Sequence, residues 1–126
     1  MKKIIKTSNA PMPIGPYNQA VVAGNTLYIS GQIPMNPVTG KLVDTGITDA
    51  TEQVMQNLKA VLTEAGYSFA DVVKSSIFIE DMNDFGEINA AYGAYFEEAT
   101  APARETVQVA KLPLGVAVEI SVIAVK

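Results

Sequence analysis

Two periods organise the hydrophobic positions of this chain. Period-two alternation, rich in β-branched residues, marks strands, and apolar positions three and four apart mark helices. Lys3 to Lys6 predicts a short first strand around Ile4 and Ile5. Asn9 to Tyr17 holds three prolines and a glycine, which forbid regular structure there. Gln19 to Val22 and Leu27 to Ser30 predict two strands joined through Ala23-Gly24-Asn25-Thr26 as a hairpin. Gly31-Gln32-Ile33-Pro34 leaves that hairpin, and Pro37, Gly40 and Gly46 mark a long loop.

From Asp49 to Ala65 the spacing changes to helical. Val54, Leu58, Val61, Leu62 and Ala65 share one face, Asp49 and Glu52 have capping-box spacing, and Gly66 suits the position after the helix. Val72 to Glu80 predicts a fourth strand. A second helix follows Asp81-Met82-Asn83-Asp84 and runs to near Phe96, with Phe85, Ile88, Tyr92, Tyr95 and Phe96 as its apolar stripe. Strands five, Arg104 to Val109, and six, about Val116 to Val125, complete the order βββαβαββ. The class is α+β in one domain, residues 1–126, with both helices able to cover one face of a sheet.

Strand six is largely apolar on both faces. Val116, Val118, Ile120, Val122 and Ala124 line one, while Ala117, Glu119, Ser121, Ile123 and Val125 line the other. A half-solvated strand would show a polar face. With two helices on one side, the second side calls for self-association through the open sheet face. The alternative is an ordinary central strand with loops over it.

Composition narrows the chemistry. The chain has no cysteine and no histidine. Thiolate chemistry, the commonest metal ligand and the commonest general base are thereby excluded. The net charge is −4 and the basic residues are scattered apart from Lys2, Lys3 and Lys6. A nucleic-acid partner, which would call for a basic stripe, is not expected. No apolar run reaches the length of a membrane span, so a cytoplasmic protein without cofactor or metal is the expectation.

The candidate chemistry sits in Pro102-Ala103-Arg104-Glu105-Thr106 and Val118-Glu119-Ile120. Folding strands five and six as a hairpin about Leu112-Pro113 sets Thr106 opposite Glu119 and Arg104 opposite Ser121. Arg104 and Glu119 then face each other on one side of the sheet. A planar guanidinium can grip a carboxylate through two charge-assisted hydrogen bonds. Glu119 could hold and polarise a water at the neighbouring carbon. The plainer alternative is an Arg104–Glu119 ion pair on the sheet. Tyr17 follows the Pro/Gly loop, Ser30-Gly31 ends a strand, and Asn89 lies on the second helix. Each has a plainer reading as packing, turn or solvent contact, and the Tyr92, Tyr95, Phe96 group reads as core.

The chain resembles the reactive intermediate deaminase family (the Rid, or YjgF-like, proteins). The residues carrying the likeness include Asn9-Ala10-Pro11, Ile14-Gly15-Pro16-Tyr17, Ser30-Gly31-Gln32-Ile33-Pro34 and Asp81-Met82-Asn83-Asp84-Phe85. The signature proper is Pro102-Ala103-Arg104, Leu112-Pro113 and Val118-Glu119-Ile120. The resemblance implies a chorismate-mutase-like fold with a mixed sheet. It also implies a homotrimer around a central barrel, with sites in clefts between subunits. The activity implied is hydrolysis of 2-iminobutyrate, 2-iminopropanoate and their enamines to 2-keto acids and ammonia. Pyridoxal-phosphate-dependent dehydratases would supply those substrates.

By the same likeness Arg104 binds the substrate carboxylate and Glu119 orients water. Tyr17, Ser30, Gly31 and Asn89 line the cleft, and the backbone of Thr106 touches the ligand. The chain departs from the family pattern at Glu105, usually a small residue, and at Thr106, often cysteine. A non-catalytic binder or sensor of keto acids is the competing reading. A ribonuclease or translation inhibitor is a third, which the acidic balance disfavours.

Overall fold

The most buried strand lies at the middle of the sheet. In β6 (Val118–Val125), Val118, Ile120, Val122 and Ala124 are each buried. The structure, a computed structural model, describes residues 1–126. Its six strands lie in one mixed sheet in the order β1-β2-β3-β6-β4-β5. The others are β1 (Lys2–Ile5), β2 (Ala20–Ala23), β3 (Thr26–Gln32), β4 (Val72–Ile79) and β5 (Ala103–Gln108). With the helices α1 (Ile47–Ala65) and α2 (Phe85–Gly93), the order along the chain is βββαβαββ, as the pattern predicted.

Both helices cover the same side. The buried cluster joins Val54, Leu58, Val61 and Leu62 of α1 and Ile88 and Tyr92 of α2 to Leu27, Ile29, Ile77, Ile79 and the inward residues of β6. Each such side chain contributes about 1.5–3 kcal/mol by leaving water. On the opposite side Val21, Tyr28 and Ile123 form one apolar rung, and Phe78 and Val107 share another with Glu119. No element of the chain covers this second face, and Tyr28 remains 50% exposed.

The strand five–six hairpin does not form. β5 pairs in parallel with β4, while β6 runs antiparallel between β3 and β4. Two facts of the chain explain this. The segment from β4 to β5 carries α2, a helical crossover that delivers the next strand parallel to the last. In addition, β5 is polar enough to sit at the edge, whereas β6, apolar along its inward side, gains more at the centre. The predicted pairs Thr106–Glu119 and Arg104–Ser121 are replaced by Thr106–Ile77 and Arg104–Ser75.

The helix ends also differ. α1 starts at Ile47, after Gly46 at φ 121°, and no side chain caps it. Asp49 lies inside the first turn, favourable to the helix dipole, and accepts a hydrogen bond from the Thr45 hydroxyl at 2.7 Å. Glu52 is engaged with Tyr95, so the predicted capping box is absent. Gly66 does close α1, at φ 80° with its N–H on the carbonyls of Leu62 and Thr63. α2 stops at Gly93 rather than near Phe96, at a residue that favours the helix poorly. Tyr95 and Phe96 turn back to pack against Phe69, one tilted and one edge-on, with ring centroids 5.0 and 5.4 Å away.

Candidate functional site

Arg104 is the only arginine in the chain. It leaves the edge strand β5 on the helix side, where α2 passes over it. Phe85, Asn89 and Tyr92 stand four and three residues apart on α2 and so form one stripe. Arg104 Nη1 donates to Asn89 Oδ1 at 2.6 Å. Its Cζ lies 5.2 Å from the Tyr92 ring centroid and 5.7 Å from that of Phe85. No carboxylate of its own chain pairs with it; the ion pair that forms nearby is Lys74–Glu105, at 3.0 Å on the other face. Thr106 follows two residues on, on the same side, with its hydroxyl buried and unpartnered.

Glu119 occupies the open side of β6, beside a break in the β3 ladder. The register between β3 and β6 shifts between Ile29 and Gln32, which leaves Ser30-Gly31 as a bulge. A Cβ on Gly31 would meet the Glu119 carboxyl carbon at 2.6 Å, so the absent side chain is what admits the glutamate. The Ser30 hydroxyl donates to the Asn18 carbonyl at 2.6 Å and is therefore occupied within the fold. Tyr17, half exposed, shares a shallow hollow with Gly31, Met12 and Ile14. Gln19 fixes the wall of that hollow. Its buried amide bonds the Thr7 N–H and the carbonyls of Thr7, Ala10 and Pro11.

These two groups do not meet within one chain. Paired residues on neighbouring strands point to the same side. Arg104 pairs with Ser75 and Glu119 with Phe78, and those two stand three apart on β4. Their side chains therefore emerge on opposite faces. The expected arrangement, Arg104 and Glu119 facing each other in one hairpin, is corrected. Asn89 and Thr106 fall with Arg104; Tyr17, Ser30 and Gly31 fall with Glu119.

The electrostatics of the two halves differ. Burial, with no compensating partner, pushes the Glu119 carboxyl above the usual carboxylate range. Burial likewise raises the Tyr92 hydroxyl, although its bond to Ser75 and the nearby Arg104 charge pull the other way. Glu105 is lowered, first by the Ser76 hydroxyl and then by Lys74.

Tyr92 belongs to the core, as the pattern predicted, but sequence reasoning missed that its ring and that of Phe85 also cover Arg104. The i, i+4, i+7 spacing of Phe85, Asn89 and Tyr92 was the available signal. It also missed the Gln19 clamp, for which a lone glutamine before a strand carries no signal.

Residues 7–126 match the family model described as endoribonuclease L-PSP. A RutC family protein of Pyrococcus horikoshii is 52% identical over 126 residues, spanning 100% of this chain and 99% of the relative. The 2-iminobutanoate/2-iminopropanoate deaminase of Escherichia coli is 48% identical over 128 residues, spanning 100% and 99%. Among solved structures, a Rid family protein of unknown function from Yersinia pestis superposes with a TM-score of 0.96 at 48% identity, covering 100% of both chains.

Proposed function

Because the chain belongs to the Rid family, we propose that it hydrolyses 2-imino acids and their enamines, 2-iminobutyrate and 2-iminopropanoate among them, to 2-keto acids and ammonia. One observation carries the reading: the chain's only guanidinium is held by Asn89 and two rings, yet has no carboxylate of its own to bind. A substrate carboxylate would take the free donors of Arg104. Water adds to the imine carbon, the resulting amino alcohol expels ammonia, and the carbonyl forms. Glu119 would accept the proton from water and return it to the departing nitrogen. Its raised pKa suits that exchange, because it makes the carboxylate a stronger base toward water and leaves more of the carboxyl protonated, with a proton to give the departing nitrogen. Tyr17, Ser30 and Gly31 would line the Glu119 side of the cleft and the Thr106 backbone the Arg104 side.

The opposite faces of Arg104 and Glu119 then require two chains for each site. A contact joining the helix side of one copy to the open side of the next is head-to-tail, and such contacts form a ring where the rotation between copies closes. A homotrimer fits this need and covers the apolar rungs of Tyr28, Ile123 and Phe78. Dehydratases that use pyridoxal phosphate on threonine and serine would supply the imines, in the cytoplasm. No helix is long and apolar enough to cross a membrane.

The test is to mix two inactive variants, Arg104→Ala and Glu119→Ala, after dissociation and reassembly. Imine loss is then followed by trapping behind a threonine dehydratase. Shared sites recover about a quarter of wild-type activity, since random rings place an intact Arg104 against an intact Glu119 at one interface in four. No recovery overturns the shared site. Wild type that binds 2-ketobutyrate but releases no ammonia overturns the catalytic reading in favour of a binder.

A further inference from the structure

A closed triangle of contacts surrounds Arg104. Its strand neighbour in register is Ser75 of β4, which is fully buried. The Tyr92 hydroxyl donates to Ser75 Oγ at 2.9 Å, and Tyr92 is itself only 5% exposed. The Tyr92 ring in turn lies 5.2 Å from the Arg104 guanidinium carbon. The residue that fixes the arginine's backbone thus also fixes the ring that covers its head.

We propose that Tyr92, anchored by Ser75, is a positioning residue that selects the carboxylate-binding rotamer of Arg104. An arginine has four rotatable side-chain bonds, and a guanidinium on an edge strand would sample many arrangements. Cover by an aromatic face restricts the head to a plane. Asn89 occupies Nη1, and the other donors of the exposed fork have no partner in the chain. The hydroxyl of Tyr92 bonds Ser75 and makes no hydrogen bond to the guanidinium. Its use is to stop the ring from turning away, a task that phenylalanine would perform only through packing. Where the site acts as the deaminase proposed above, on which the kinetic part rests, pre-ordering Arg104 strengthens substrate and transition-state binding alike. Its loss therefore appears in KM rather than kcat.

The experiment uses the assembled full chain. With a single arginine, the side-chain Nε–H resonance of Arg104 is unique in the spectrum and needs no assignment. Tyr92→Leu is expected to lower the Nε order parameter and to raise KM roughly 3- to 30-fold, the range of one cation–π contact, with kcat within about twofold. Tyr92→Phe restores most of both. Ser75→Ala keeps the ring and shifts both readouts in the same direction by less, so it decides the matter if Tyr92→Leu does not assemble. An unchanged Nε order parameter in both the leucine variant and Ser75→Ala overturns the proposal. So does a fall in kcat with KM unmoved. Wild type without deaminase activity overturns the functional reading alone, and the Nε measurement, which needs no turnover, still decides this one.

Discussion

A Cβ on Gly31 would lie 2.6 Å from Cδ of Glu119 and 2.7 Å from its Oε2. The glutamate occupies the space that a side chain at position 31 would fill. Gly31→Ala must therefore move the carboxylate, and it does so at modest cost in stability, because the displaced atoms end a flexible side chain. The expected result is a folded protein with a melting temperature near wild type and kcat lower by about 100-fold, the scale of a 1 Å misplacement. Added to Glu119→Ala, the same change should cost nothing further. An additive loss in that double variant would show that Gly31 acts through something other than Glu119.

Arg104→Ala removes the only guanidinium. Loss of one partner from a desolvated charged contact costs about 2–5 kcal/mol, or roughly 30-fold to a few thousand-fold in kcat/KM. Arg104→Lys keeps the charge but lacks the planar fork, and is expected to recover only part of the loss. Steady-state ammonia release by the three proteins checks the order. Equal activity of the lysine variant and wild type would show that charge alone suffices.

Two glutamates should move stability with pH in opposite senses. The Glu119 carboxyl is raised by burial, so the folded state holds its proton more tightly than the unfolded one. Stability then falls as pH rises through the window from the ordinary glutamate value to the raised one. Glu119→Gln is expected to melt higher than wild type above that window, and the difference should vanish below it. Glu105 is lowered by Ser76 and Lys74, so its contribution is present above the ordinary value and lost as pH falls through the lowered one. Glu105→Gln should melt lower at neutral pH and match wild type in acid. Melting curves across pH test both, and parallel behaviour of the two variants would refute the assignment.

The Thr106 hydroxyl is buried without a partner. Such a group costs about 1–3 kcal/mol, which Thr106→Val removes while keeping the shape. Calorimetry should record a rise in melting temperature of several degrees, about 2–8 °C per kcal/mol for a chain of this size. A fall instead would mean that the hydroxyl is bonded in the assembled protein.

The element order was legible because each element carries its own period. Val54, Leu58, Val61 and Leu62 could only be a helix face, and Val118, Ile120, Val122 and Ala124 only the buried side of a strand. Element ends were less legible, since α1 begins at a glycine of φ 121° and not at the acid that resembled a cap. The site residues stood out one at a time as Arg104, two residues after a proline, and a lone acid, Glu119, in an apolar run. Their grouping did not, because alternation states which residues share a face of a strand but not which strand lies beside it.

That distinction separates what the residues dictate locally from what the packed sheet decides. Periodicity, the lone arginine and the doubly apolar last strand are properties of neighbours in the chain, and they survive any arrangement of the elements. Strand order depends on which pairing buries the most apolar surface, a comparison among distant segments. It placed β6 between β3 and β4 and left β5 parallel at the edge. That ordering and its register set Arg104 and Glu119 on opposite faces, with the Tyr92 ring against one and Gly31 making room for the other.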